Sequence, residues 1–131
     1  MKRLLDTNIC IAWLNGQDEA VRKRLGALSR DDVVLCSVVQ AELLYGARCS
    51  QRVAANLQRL AEFFKLFISD VFDDHAAEQY GVLRSGLRRA GTPVGANDML
   101  IASIALANDR RLVTRNRTEL SVIPGLQLEV W

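Results

Sequence analysis

The strongest constraint on this chain is a recurring order: a short apolar run, a polar residue that ends it, then a helical pattern. Leu4-Leu5 runs into Asp6, Val33-Val34-Leu35-Cys36 into Ser37, and Arg111-Leu112-Val113-Thr114 into Arg115-Asn116. Runs this brief, bounded by polar or turn residues, read as buried strands, with a fourth at 126–130. Helical patterns fill 8–14, 38–48, 52–64, 74–89 and 98–108. Strands alternating with helices predict an α/β sandwich around a mainly parallel sheet, because parallel neighbours need helical crossovers. In the fourth helix Ala77, Tyr80, Val82, Leu83 and Leu87 fit one buried stripe, and Gly91-Thr92-Pro93 stops it. The fifth is apolar on nearly every side and is therefore expected inside the protein.

Composition narrows the class. A chain of 131 residues, 50% hydrophobic and 24% charged, predicts one globular domain over 1–131. A domain of this size buries roughly two-thirds of its unfolded surface and folds without staples, so any metal would serve chemistry. The longest apolar run, from Met99 to Ala107, is broken by Ser103 and falls far short of the roughly 20 residues a bilayer requires. Met1-Lys2-Arg3 meets Asp6 after two leucines, leaving no signal-peptide core, so a cytoplasmic location is expected. Cys10, Cys36 and Cys49 form no C-x-x-C pair and have one histidine, His75, for company; zinc and disulfide frameworks are not expected. All three thiols read as small buried hydrophobes.

Net charge is +2, but it is unevenly placed. Between residues 84 and 117 lie Arg84, Arg88, Arg89, Arg110, Arg111, Arg115 and Arg117 against only Asp98 and Asp109, with no lysine. Arginine suits bidentate phosphate contact, although a solvated helix face explains such residues equally simply.

In parallel α/β sheets functional groups gather beyond the carboxyl ends of the strands. Asp6 closes the first strand there. As part of Asp6-Thr7-Asn8 it can also cap the following helix, but the triplet holds more caps than one helix start uses. Thr7 and Asn8 then hold the turn, and Asn8 is placed to orient a water. Glu42 lies five residues past Ser37 among Ala41, Leu43 and Leu44; it is either a solvent-facing helical glutamate or part of a site, and only other acids nearby decide. Asp98 opens the buried fifth helix, with Asn97 as its expected cap and Asp98 complementing the helix dipole. Beyond Thr114 come Asn116 and Glu119, individually a turn residue and a first-turn helix acid.

Together these four segments bring Asp6, Glu42, Asp98 and Asn116 or Glu119 toward one rim. Like charges held together repel, so such a cluster implies a compensating cation. Oxygen ligands without histidine or cysteine suit Mg²⁺ or Mn²⁺, which keep waters and bind substrate phosphate. Such an ion polarises a phosphodiester and activates water for in-line attack. Neither G-x-x-x-x-G-K-[ST], G-x-G-x-x-G nor G-x-S-x-G occurs, so nucleotide-cradle and serine-hydrolase chemistry find no support.

The residues at these positions resemble the PIN-domain ribonucleases and, within them, the VapC toxins of type II toxin–antitoxin pairs. The resemblance spans nearly the whole chain. It rests on Leu4-Leu5-Asp6-Thr7-Asn8-Ile9, on Ser37-Val38-Val39-Gln40-Ala41-Glu42-Leu43-Leu44-Tyr45-Gly46, on the segment from Gly91 to Ala102 that carries Asn97-Asp98, and on Leu112-Val113-Thr114-Arg115-Asn116. The ending from Pro124 to Trp131 is similar to that subgroup's as well. The resemblance implies a PIN-like three-layer α/β/α sandwich. It also implies that Asp6 and Asp98 ligate Mg²⁺, with Mn²⁺ an alternative, and that Glu42 completes the acidic triad. Relatives often carry a fourth acid just after the strand threonine, where this chain has Asn116; Glu119 is the nearest carboxylate that can replace it. Thr7 and Thr114 would support ligands or the attacking water. The implied activity is Mg²⁺-dependent cleavage of RNA, usually transfer RNA, that halts translation until a VapB-type antitoxin binds; a homodimer with no membrane partner is the family expectation.

Two other readings remain open on the sequence. A phosphatase using Asp6 as covalent nucleophile is one, but Asn8 stands where such enzymes need a second aspartate. A non-catalytic nucleic-acid-binding PIN-like module is the other, suggested by Asn116 and the arginine-rich stretch.

Overall fold

The structure is a computed structural model that describes residues 1–131. Its strands are β1 (Arg3–Leu5), β2 (Val33–Cys36), β3 (Ile68–Asp70), β4 (Arg111–Thr114) and β5 (Leu128–Val130). Its helices are α1 (Thr7–Asn15), α2 (Glu19–Gly26), α3 (Ser37–Arg48), α4 (Val53–Phe64), α5 (Asp74–Ala90), α6 (Ala96–Ala107) and the short α7 (Arg117–Leu120), with a 3₁₀ turn at Arg30–Asp32. The strands form one fully parallel sheet in the order β3-β2-β1-β4-β5, flanked by the helices. The expected α/β/α architecture is thus present, and all five strands run one way.

Chain order explains where a site can form. From β1 the chain builds outward through β2 to β3, then returns to the other side of β1 for β4 and β5. The direction reverses between β1 and β4, and at such a switch point the adjoining connections part to leave a crevice at the carboxyl edge. Asp6 and Thr114 stand next to each other at that edge, where the Asp6 N–H donates to the Val113 carbonyl at 3.0 Å.

The sheet centre is apolar throughout: Leu4, Leu5, Val33, Val34, Leu35, Leu112 and Val113 are buried. Helix α6 buries Met99, Ile101, Ala102, Ser103, Ile104 and Ala105, as an all-round apolar helix must, and the Ser103 hydroxyl is satisfied by the Met99 carbonyl at 2.6 Å. At Gly91, φ is +67°, the left-handed conformation that closes α5 where the Gly-Thr-Pro signal predicts.

Several expectations need correction. The buried stripe of α5 is Ala76, Leu83 and Leu87 with Tyr80 half-buried; Ala77 and Val82 face outward, Val82 being 73% exposed. Positions 76, 80, 83 and 87 follow the helical spacing, whereas 77 and 82 fall off that face. Cys10 and Cys36 are buried, but Cys49 is exposed, because it follows α3 as that helix leaves the core. Asn97 does not cap α6; Gly95 occupies the cap without a side-chain bond, and Asn97 lies inside the first turn. Strand β3 and helix α2 are absent from the sequence reading, whereas the short α7 is the helix whose first turn Glu119 is expected to occupy. β3 is three residues long at a sheet edge with no buried residue, and α2 buries only Val21 and Leu25. The fifth strand is shorter than its predicted span, at Leu128–Val130.

Two ion pairs brace this frame. Arg110 reaches Asp70 with Nε at 2.9 Å and Nη2 at 3.2 Å, joining the β3 end to the approach of β4. Arg3 Nε donates to Glu129 Oε2 at 2.6 Å, tying β1 to the edge strand β5. No helix is long and apolar enough to cross a membrane.

Candidate functional site

Asp6 leaves β1 and becomes the cap of α1, its Oδ1 accepting the Ile9 N–H at 2.9 Å. The capping role expected from the sequence is therefore real, and it uses one carboxylate oxygen. The group is almost wholly enclosed, at 7% exposure. Burial pushes its pKa up; the Thr114 hydroxyl and the Ile9 N–H pull it down, Glu42 raises it, and Arg115 lowers it.

Glu42 comes from the second turn of α3, which begins directly after β2, the neighbour of β1. It is not a free solvent-facing glutamate. Thr7, the first residue of α1, donates its hydroxyl to Glu42 Oε1 at 2.6 Å, so the two helices that leave adjacent strands are joined at the rim. Thr7 and Glu42 line an open depression of about 700 Å³ with Asn8, Ser37, Tyr45 and Asn97. Asn8 is exposed there.

Asp98 arrives on the first turn of α6. Its carboxyl is raised by burial first, then by the charges of Glu119, Asp6 and Glu42. Asp98 is therefore the carboxylate that feels all three of the other acids singled out in the sequence. Glu119, from α7, is fixed on both oxygens: Oε1 accepts the Gly95 N–H at 2.7 Å and Oε2 the Asn116 amide at 2.8 Å. Those bonds hold it below the usual carboxylate range, led by Asn116. The Asn116 amide donates to Glu119, while its own N–H donates to Thr114 Oγ1 at 2.9 Å. Thr114 is fully buried and links this loop to Asp6.

Gly95 escapes sequence reasoning, since its contribution is a backbone N–H. A side chain there would stand 3.6 Å from Asp98 Oδ2 and 3.7 Å from Glu119 Oε1, so both carboxylates flank one backbone carbon. The spacing of Asp98 and Glu119 gives no hint of this.

No three acidic, histidine or cysteine side chains close into a ready-made cage. The rim instead presents oxygen donors on separate elements, with Asp98 burdened by three like charges. This donor set fits a hard divalent cation, which takes one or two carboxylates and keeps several waters, and whose charge would relieve the repulsion.

Comparison with known proteins agrees with the geometry. A PIN-domain family model matches residues 3–125. The chain is 38% identical to ribonuclease VapC2 of Rickettsia felis, covering 98% of this chain and 96% of that one. It is 36% identical to the tRNA(fMet)-specific endonuclease VapC of Salmonella typhimurium, over 100% and 98% of the two chains. Among solved structures, the VapBC2 complex of Rickettsia felis bound to a promoter DNA fragment superposes with a TM-score of 0.93 at 36% identity, over 100% of this chain and 99% of that one. An α/β protein with a carboxylate rim at its switch point is the class that fold and site define, and the chain belongs to the PIN-domain family, in its VapC group. PIN-domain nucleases are generally dependent on a divalent metal.

Proposed function

We propose that this protein is the toxin of a toxin–antitoxin pair, a Mg²⁺-dependent endoribonuclease that cleaves transfer RNA and so inhibits translation. The observation that carries the reading is the meeting of Asp6, Glu42, Asp98 and Glu119, from four separate segments, at the carboxyl edge between β1 and β4. Relatives named as ribonucleases, one of them specific for tRNA(fMet), support the substrate class. Solved relatives in VapBC complexes support a VapB-type antitoxin as partner. A homodimer follows from the family expectation.

Asp6 and Asp98 would hold the ion, Mg²⁺ or in its place Mn²⁺. When bound, that ion supplies Lewis-acid polarisation of a phosphodiester and lowers the pKa of water toward neutrality. Asp6 keeps one oxygen for the α1 cap and offers the other to the rim. Glu42, steadied by the Thr7 hydroxyl, is a carboxylate at the edge of the depression, placed to take a proton from an attacking water. Glu119, kept ionised by Gly95 and Asn116, adds negative charge beside Asp98 and strengthens its hold on a cation. Thr114 orients Asp6, and Asn8 borders the depression where the substrate strand would lie.

The test is incubation of the purified protein, freed of any partner, with total bacterial RNA and Mg²⁺, followed by sequencing of new ends. Discrete cuts that disappear with chelator and in Asp6→Asn are expected. The asparagine keeps the helix cap, so lost cleavage reports the carboxylate rather than the fold. Full cleavage by Asp6→Asn would sink the reading.

A further inference from the structure

The structure gives four of the seven late arginines distinct partners. Arg110 is spent on Asp70, and Arg111, the first residue of β4, lies 3.9 Å from Glu129 at the end of the sheet away from the rim. Arg84 donates to the Tyr80 hydroxyl at 2.6 Å and lies over its ring. Arg115 is different. It directly follows Thr114 at the carboxyl end of β4, and its charge reaches Asp6.

Arg115 is the one cation on an open, polar trough of about 730 Å³ between α1 and the start of α2, which Asn8, Asn15, Gln17, Asp18 and Glu19 also line. Asn8 and Ile11 border both this trough and the depression beside Glu42, so the two hollows flank the same stretch of α1. In the trough the Arg115 guanidinium donates to Asp18 Oδ2. The other oxygen of Asp18 is already committed, accepting the Val21 N–H at 3.0 Å as the cap of α2. Asp18 therefore keeps a structural partner when the arginine leaves. The pair is also accessible, with the arginine side chain 42% exposed, and exposed pairs are weak. A phosphate, which takes the guanidinium fork on two oxygens, is the stronger partner.

A polyanion approaching a rim of four carboxylates meets repulsion, and a cation beside the rim is needed to hold it. We propose that Arg115 grips a backbone phosphate of the RNA strand on the α1–α2 side of the rim, and that Asp18 parks the guanidinium in the trough until the strand arrives. This rests on the ribonuclease reading above and adds to it a path for the substrate.

Binding of labelled mixed bacterial tRNA, measured by fluorescence anisotropy over a series of KCl concentrations in an Asp98→Asn background that cannot cleave, tests the proposal. Arg115→Ala should weaken binding about tenfold and reduce the slope of log K against log salt by about one. Asp18→Asn keeps a helix cap but releases the arginine, and should tighten binding severalfold. The double variant should bind like Arg115→Ala alone. Arg115→Lys retains the charge and guards against misfolding of the alanine variant: it should keep the salt slope while losing part of the affinity. Unchanged affinity and slope in Arg115→Ala would overturn the proposal. So would equal weakening by Arg115→Ala and Asp18→Asn, the mark of a brace between β4 and α2. Failure of the parent protein to bind tRNA would instead strike the ribonuclease reading itself, and this inference with it.

Discussion

Individual side chains at the rim are held against their own preference. Asp6 and Asp98 have raised pKa values in the fold, so the native state binds their protons more tightly than the unfolded chain does. Stability then declines as pH rises from the ordinary carboxylate value through the raised one, and stays lower at neutral pH. Glu119 works in the opposite sense, its contribution being present above the ordinary glutamate value and lost as pH falls through the lowered one. In chelator, Asp98→Asn should therefore melt a few degrees above wild type at neutral pH, with the difference vanishing in acid; calorimetry at several pH values would show it. Equal melting temperatures at neutral pH would mean that neither burial nor its acidic neighbours penalise the Asp98 charge. Thr7 offers a subtler test. Removing the hydroxyl that fixes Glu42, as Thr7→Val does, should lower activity about 10–100-fold, the range seen for groups that orient a metal-site carboxylate, with little change in melting temperature.

At the scale of elements, the site is a consequence of where helices begin. α1, α3 and α6 each start at or near the carboxyl edge, and each carries one acid in its cap or first two turns. The brace between Arg110 and Asp70 serves the frame instead. Asp70 is only 9% exposed on its side chain, so removing one partner strands a nearly buried charge. Arg110→Ala should cost about 3 kcal/mol in urea unfolding, and Asp70→Asn in the same background should recover part of that loss by removing the stranded charge. Neither change touches the rim, so cleavage of RNA at low temperature should persist. Additive losses would show that the two residues act independently.

For the molecule as a whole, a cation at the rim links stability to function. Mg²⁺ should raise the melting temperature of the wild type in proportion to the logarithm of its concentration, and do so far less for Asp98→Asn. A thermal shift series separates the two; identical responses would remove Asp98 from the ion's ligands. The fold's main lines were legible in the chain, because short apolar runs and helical periodicity are local signals. β1, β2 and β4 read clearly, as did the buried helix α6, whose sequence leaves it no polar face. What escaped was marginal or distant. β3 buries too little to leave an apolar mark, α2 is mostly charged, and the outward faces of Ala77 and Val82 depend on which side of α5 meets α6. The acids Asp6, Asp98 and Glu119 could be picked out as candidates because each sits at a strand end or helix start, and Glu42 because a carboxylate among Ala41, Leu43 and Leu44 needs a reason. Their gathering at one rim is expected from the rule that functional groups collect at strand carboxyl ends, but which side chains touch there depends on strand order: placing β4 beside β1 brings Thr114 to Asp6 across more than a hundred residues of chain. The Gly95 N–H on Glu119 and the hold of Asp18 on Arg115 likewise exist only once the chain has folded. Sequence determined which residues carry charge and where elements start; the tertiary structure alone decided which charges share a low-dielectric rim, because electrostatic coupling depends on distance through space and on burial.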